Sequence, residues 1–323
     1  MAMSRAAMVM RRRNRDGWPA AAAAIGCGAG RQSRNAGRGM AEASTETVPA
    51  SQPEPVWPGW LIAIAICIRF YSRLPVPRLP GEADPHAPPD FRTVPRALPF
   101  ATLIIALPAA LVLLGAGAAG LGGLLSATLA IATLAVTTGA LHEDGLADSA
   151  DGLFGGRTPE RRLEIMKDSR LGSYGAMAMG LALLLRVAAL ATILDRTGAL
   201  AAAGVFMTTA VVSRMSGVHL LATIGPARRD GASASVGRPS ERTALLGCGI
   251  AAVLALALAF TFGLPPWGLA LGFVFAAANA MLVRRLCQRL IGGQTGDVAG
   301  ATQQLDEIAF YLGFALALGL GFR

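Results

Sequence analysis

Between Gly139 and Gly175 the chain gathers His142, Glu143, Asp144, Asp148, Asp151, Asp168 and Arg170, while its surroundings are mostly Ala, Leu, Gly and Val. Along an α-helix each residue turns the direction by about 100°. Asp148 and Asp151, four and seven residues after Asp144, therefore project within about 60° of it. Three carboxylates on one face repel unless a cation neutralises them. Hard oxygen donors suit Mg²⁺ or Mn²⁺, and Mg²⁺ is usually held by a few carboxylates together with substrate phosphates. The spacing predicts a divalent-metal site for phosphoryl chemistry, with Asp144, Asp148 and Asp151 as ligands. A calcium loop of the EF-hand type is excluded, because Leu146 and Gly155 stand where it needs oxygen donors. His142 points away from the three aspartates on an ideal helix.

The elements that must position these residues are apolar. Of 323 residues 53% are hydrophobic and 15% charged, and mean hydropathy is +0.50. Soluble domains carry about 25% charged residues, so the chain reads as an all-α, polytopic integral membrane protein. About seven transmembrane helices are expected, near 97–118, 121–141, 174–194, 199–221, 244–264, 267–283 and 305–322. Trp57–Tyr71 is short for a span of about 20 residues and is expected to be a re-entrant or interfacial helix. Residues 1–56, Arg-rich at first and then Pro/Ser/Glu-rich, read as a disordered extension. Residues 57–323 form the membrane-embedded catalytic domain. The net charge of +9 comes almost wholly from arginine, Lys167 being the only lysine. The arginines cluster in loops between alternate apolar segments, so positive-inside bias explains them without nucleic acid. That bias puts the acidic stretch on the cytoplasmic side. The four cysteines show neither disulfide nor zinc spacing.

Other polar residues add to the site or remain open. Thr158-Pro159-Glu160 predicts the start of a short helix, with a capping residue, Pro at the first position and an early acid. Its basic decoration suits either anionic headgroups or a diphosphate. Arg186 and Arg214 fall inside apolar segments, where ionisable groups default to function; Arg186 also has the option of pairing with Asp195. The glycine-rich turn Gly292–Asp297 can offer backbone N–H groups to phosphate and Asp297 to a metal. No P-loop motif is present.

Four blocks resemble cobalamin synthase, the adenosylcobinamide-GDP ribazoletransferase family. They are Phe70-Tyr71-Ser72-Arg73-Leu74-Pro75-Val76-Pro77, the run Leu141–Gly152, the run Arg162–Gly175, and Gly292-Gly293-Gln294-Thr295-Gly296-Asp297. The resemblance implies transfer of the cobinamide-phosphate moiety of adenosylcobinamide-GDP to α-ribazole or α-ribazole 5′-phosphate. The products would be adenosylcobalamin, or its 5′-phosphate, and GMP, at the bacterial inner membrane with Mg²⁺ as cofactor. It also implies substrate contacts from His142, Glu143, Lys167, Ser169, Arg170, Arg214, Gln294 and Asp297, with Asp168 or Asp151 as general base. Beyond its substrates the expected partner is membrane lipid, and the sequence is compatible with a homo-oligomer. Two rivals remain in view. A phosphotransferase of the CDP-alcohol type also uses spaced aspartates at a membrane, but the Arg its pattern wants does not follow Asp144-Gly145-Leu146-Ala147. An ion-coupled secondary transporter would place acids mid-span and show internal repeats.

Overall fold

The computed structural model describes residues 55–85, 87–228 and 237–321, which form one compact all-helical unit. The extension expected over residues 1–56 lies, up to residue 54, outside the described residues. Helix α1 (Trp60–Tyr71) leads through a Pro-rich loop and a 3₁₀ turn (Val94–Ala97) into α2 (Leu98–Ala118). Arg69 ties that loop down, donating to the Val76 and Pro77 carbonyls and pairing with Glu82.

Helix α3 (Gly123–Thr138) stops where Gly139 and Ala140 both adopt left-handed conformations, at φ 67° and 56°. The N–H of Ala140 returns to the Ala135 carbonyl and that of Gly139 to Val136, a Schellman-type closure. Next comes α4 (Leu141–Gly155), turned 88° from α3, and it carries the acidic run. The short α5 (Pro159–Ile165) begins as predicted, Thr158 accepting from the Arg161 N–H. The remaining helices are α6 (Ser173–Thr197), α7 (Ala199–Thr223), α8 (Glu241–Phe262), α9 (Pro266–Ile291) and α10 (Gly296–Gly319).

Helix α7 is buried along nearly its whole length and packs against α2, α8 and α10. Helix α10 in turn packs against α9, α4, α7 and α6. One large core cluster, including Leu113, Leu190, Phe206, Phe310 and Phe314, joins these helices apart from α4. The outward faces of the long helices are apolar too, with Leu184, Leu245, Leu256 and Phe260 exposed. Exposed apolar faces of this extent are what a membrane-spanning bundle presents.

Among the described residues five helices are long and apolar enough to cross a membrane, or six if α3 and α4 count as one bent span. The seven expected spans are reduced for two physical reasons. The segment expected at 121–141 breaks at Thr138. The last begins earlier than hydropathy suggests, as α10, and its first half buries Gln303, Gln304, Asp306 and Glu307.

Candidate phosphoryl-transfer site

Helix α4 lies against the start of α10 with no side chain between them. A Cβ added to Gly145 would stand 2.9 Å from the Asp297 carbonyl oxygen, and Gly300 faces the Gly145 Cα at about the same level. This approach sets Asp144 and Asp148, one turn apart on α4, beside Asp297 in the first turn of α10. The charged groups acting on Asp148 are Asp144, Asp297, Asp151 and Arg228. The last of these was absent from the sequence expectation. The Arg228 guanidinium lies 3.4 Å from Asp297 and also donates to the Leu163 carbonyl at 3.4 Å. Its placement depends on a two-loop clasp: Ala227 N–H donates to the Gln294 carbonyl, and Gln294 N–H to that of Gly225. Gln294 is thus held by its backbone, its side chain buried. A loop arginine preceding a long connection gives no sequence signal, and only this clasp reveals it.

Asp151 sits on the predicted helix and is one of the groups acting on Asp148, but its carboxylate is occupied. It accepts from Gly172 N–H at 2.7 Å and Gly175 N–H at 2.8 Å, closing the start of α6. Asp168, half-buried, and Arg170, exposed, lie in the loop after α5 and pair with each other at 2.6 Å. Hydrogen bonding from Arg170 holds the Asp168 carboxylate low, at about 2. Ser169 and Lys167 are exposed in the same loop. Loop and acidic helix are neighbours through the Asp151 cap.

His142 and Glu143 face inward. His142 stacks in parallel with Tyr71, ring centroids 5.9 Å apart. Glu143 pairs with Arg186 at 2.8 Å, and Arg186, fully buried, also pairs with Glu307 on α10 at 3.0 Å. The alternative pairing of Arg186 with Asp195 is not formed; Asp195 instead lies against Gly123. Arg214 is buried nearby, donating to the Ala210 carbonyl one turn earlier. Its Nε and Nη2, His142 Nε2 and one oxygen each of Glu143 and Glu307 have no hydrogen-bond partner. Such groups in a protein interior call for water.

Among the described residues no three His, Cys, Asp or Glu side chains are gathered tightly enough to hold a metal by themselves. The donor set still fits Mg²⁺. Asp144, Asp148 and Asp297 are brought together with a single arginine against them, and Mg²⁺ takes one or two carboxylates with phosphate oxygens completing its shell.

The family model described as cobalamin-5-phosphate synthase (CobS) matches residues 63–315. The chain belongs to the cobalamin-5-phosphate synthase family. Proteins named adenosylcobinamide-GDP ribazoletransferase are among its relatives. That of Azorhizobium caulinodans is 48% identical over 254 residues, covering 78% of this chain and 95% of its own. That of Xanthobacter autotrophicus is 48% identical over 261 residues (79% and 96%), and that of Sinorhizobium medicae 42% over 255 (79% and 96%). No solved structure matches the chain. As a member of the cobalamin-5-phosphate synthase family it is a transferase of cobalamin biosynthesis, which sets aside the CDP-alcohol and transporter readings. The family match begins inside α1 and ends inside α10, so all the acids described above fall within it.

Proposed function

We propose that this chain transfers the cobinamide-phosphate group of adenosylcobinamide-GDP to α-ribazole or α-ribazole 5′-phosphate, releasing GMP. The observation that carries the reading is the contact of α4 with α10, which sets Asp144, Asp148 and Asp297 against Arg228 in a member of this family. The ribose hydroxyl attacks the phosphorus that remains with cobinamide. A phosphorus–oxygen bond forms there, the diphosphate bridge breaks, and GMP leaves with the bridging oxygen.

Asp144, Asp148 and Asp297 are the side chains that would hold Mg²⁺, which when bound neutralises charge on the diphosphate. Arg228, already facing the carboxylates, supplies a fork for the equatorial oxygens. Arg170, at the mouth, is available to the guanosine end once its pairing with Asp168 relaxes. Asp151 is the better of the two expected bases, because it adjoins Asp148, whereas Asp168 is held weakly basic in solvent. The same carboxylate also anchors α6, so its two duties are linked. The site is proposed to face the cytoplasm at the bacterial inner membrane, following the basic loops at its end of the bundle. Arg214 and His142 are proposed to act from beneath, through the interior of the bundle.

The test is release of GMP from adenosylcobinamide-GDP by purified protein, with and without α-ribazole and Mg²⁺, alongside formation of the new corrinoid. Asp148→Ala should abolish both products while the protein still inserts and elutes as the wild type does. Wild-type turnover in that variant, or GMP release that needs no acceptor, would overturn the proposal.

A further inference from the structure

Away from the acidic helix, α8 meets the first turns of α2 in only a few places. Between them runs an open groove of about 750 Å³ walled by Phe100, Leu245, Leu246, Ile250 and Val253. Gly249 lies in its floor, and a Cβ added there would meet nothing within 4 Å. Leu245, Leu246 and Val253 are well exposed, so the groove faces the lipid side of α8. A bare apolar face on a membrane protein would mean only ordinary contact with the bilayer. Here one end of the groove is charged.

Arg242, in the first turn of α8, lines that end. Arg96 stands beside it. It lies one turn before Phe100, its Nε donates to the Thr93 carbonyl at 2.9 Å, and its Nη2 reaches the Thr243 hydroxyl at 3.4 Å. Its guanidinium is stacked over the Trp57 ring at 4.5 Å, and Trp60 sets its edge on Phe100 with centroids 6.0 Å apart. Thr243 is itself anchored to the Arg92 carbonyl. Arg96 is therefore held in place by three contacts rather than swinging in solvent. Among the described residues neither Arg96 nor Arg242 forms an ion pair. Two uncompensated arginines at a helix start, flanked by two tryptophans of the interfacial kind, complement an anionic headgroup. The groove leading away from them complements an acyl chain.

We infer that the α2–α8 groove binds one anionic phospholipid, its phosphate against Arg96 and Arg242 and one acyl chain along α8 over Gly249. This end of α8 is also the end that carries the acidic site. Arg238, two residues before the Ser240 cap, donates to the Leu221 and Ala222 carbonyls at the end of α7, and the next loop residues form the clasp that holds Arg228.

The test uses the full chain with Trp18→Phe and Trp267→Phe, so that Trp57 and Trp60 report, in nanodiscs of phosphatidylcholine. Into these go graded fractions of phosphatidylglycerol or phosphatidylcholine carrying bromine near the headgroup, which quenches neighbouring tryptophan. Phosphatidylglycerol should quench at a mole fraction roughly thirtyfold lower, as expected for two arginine contacts at about 1 kcal/mol each. Arg242→Gln should cut that preference to about fivefold, the share left to Arg96. Gly249→Leu, which fills empty space, should weaken quenching by both lipids while ribazoletransferase turnover stays at the wild-type level. Equal half-quenching fractions for the two lipids would mean ordinary bilayer contact and overturn the inference. So would quenching unchanged in both variants, or no quenching by either lipid with the protein dimeric in the disc, which would give the groove to a second copy.

Discussion

Replacing Gly145 by alanine puts a methyl group where the backbone of α10 already stands. The added Cβ would be 2.9 Å from the Asp297 carbonyl oxygen, 3.4 Å from the Asp297 Cα and 3.5 Å from the Gly300 Cα. Backbone cannot swing aside as a flexible side chain does, so the helices must separate by about half an ångström to restore ordinary contact. Overpacking of this kind costs roughly 1–3 kcal/mol, against up to about 1 kcal/mol gained from helix propensity. The net loss of stability should be about 0–2 kcal/mol. The effect on rate should be larger. The shift falls between Asp148 and Asp297, and a displacement near 1 Å can cost on the order of 10²-fold. A fall in kcat of about tenfold is expected. Gly300→Ala is the control on the same interface. Its Cβ would meet the Gly145 and His142 Cα atoms at 3.6 Å, which is ordinary contact, so activity and stability should match or exceed the wild type. The assay pairs GMP release with thermal unfolding in detergent, followed by a thiol dye that reads exposure of the buried Cys67 and Cys287. Wild-type turnover in Gly145→Ala, or equal damage from both substitutions, would refute the idea that this contact sets the carboxylates.

Arg186→Met should leave Glu143 and Glu307 buried without their cation, a loss of about 3–5 kcal/mol. Yield of monodisperse protein should collapse and recover in part when Glu143→Gln and Glu307→Gln are added. Arg228→Ala should raise KM for adenosylcobinamide-GDP by roughly ten- to a hundredfold, the worth of one charge-assisted hydrogen bond, with thermal stability little changed. Arg228→Lys should fall between, since it keeps the charge and loses the fork. Asp168 is kept low by Arg170, to about 2. A carboxylate lowered in this way stays ionised from neutral pH until acid near that value, so it titrates nowhere between pH 5 and pH 9. Asp168→Asn should then leave the shape of the pH–rate profile unchanged, measured as kcat/KM across that window, while Asp151→Asn lowers rate and unfolding temperature together.

What was legible beforehand was local. The helical spacing of Asp144, Asp148 and Asp151 and the start of α5 at Thr158-Pro159 depend on residues within two turns of each other, and both appear as expected. Gly139 marks a break by its chemistry, but the left-handed Ala140 beside it has no such signature, and the two together make the 88° bend. The partners of Arg186 are 43 and 121 residues away, on opposite sides in sequence. Nothing near Arg186 distinguishes a core ion pair from a residue reaching for the membrane surface. Hydropathy places the start of the last apolar segment near residue 305 because it scores Gln303 and Gln304 as surface, whereas packing encloses them together with Asp306 and Glu307. Arg228 became visible only when two loops about seventy residues apart were joined by the Ala227–Gln294 clasp.

The acidic run divides its labour by helical position. Glu143 turns inward and binds α4 to α6 and α10 through Arg186. Gly145 is the surface on which α10 rests, and Asp151 grips the first amides of α6. Three of the helix's faces are thus committed to holding it crosswise to the bundle. Asp144 and Asp148, about 40° apart on the helix, take no part in these attachments. Such a helix, fixed on both flanks, can keep two carboxylates close together with Asp297 despite their repulsion, because the cost is met by anchors that do not touch the substrate. If that is so, damage to the anchors and damage to Asp148 should separate. Variants of the side-chain anchors, Asp151 and Glu143, should lose unfolding temperature in step with rate, whereas Asp148→Ala should lose rate alone, or gain stability as like charge is relieved.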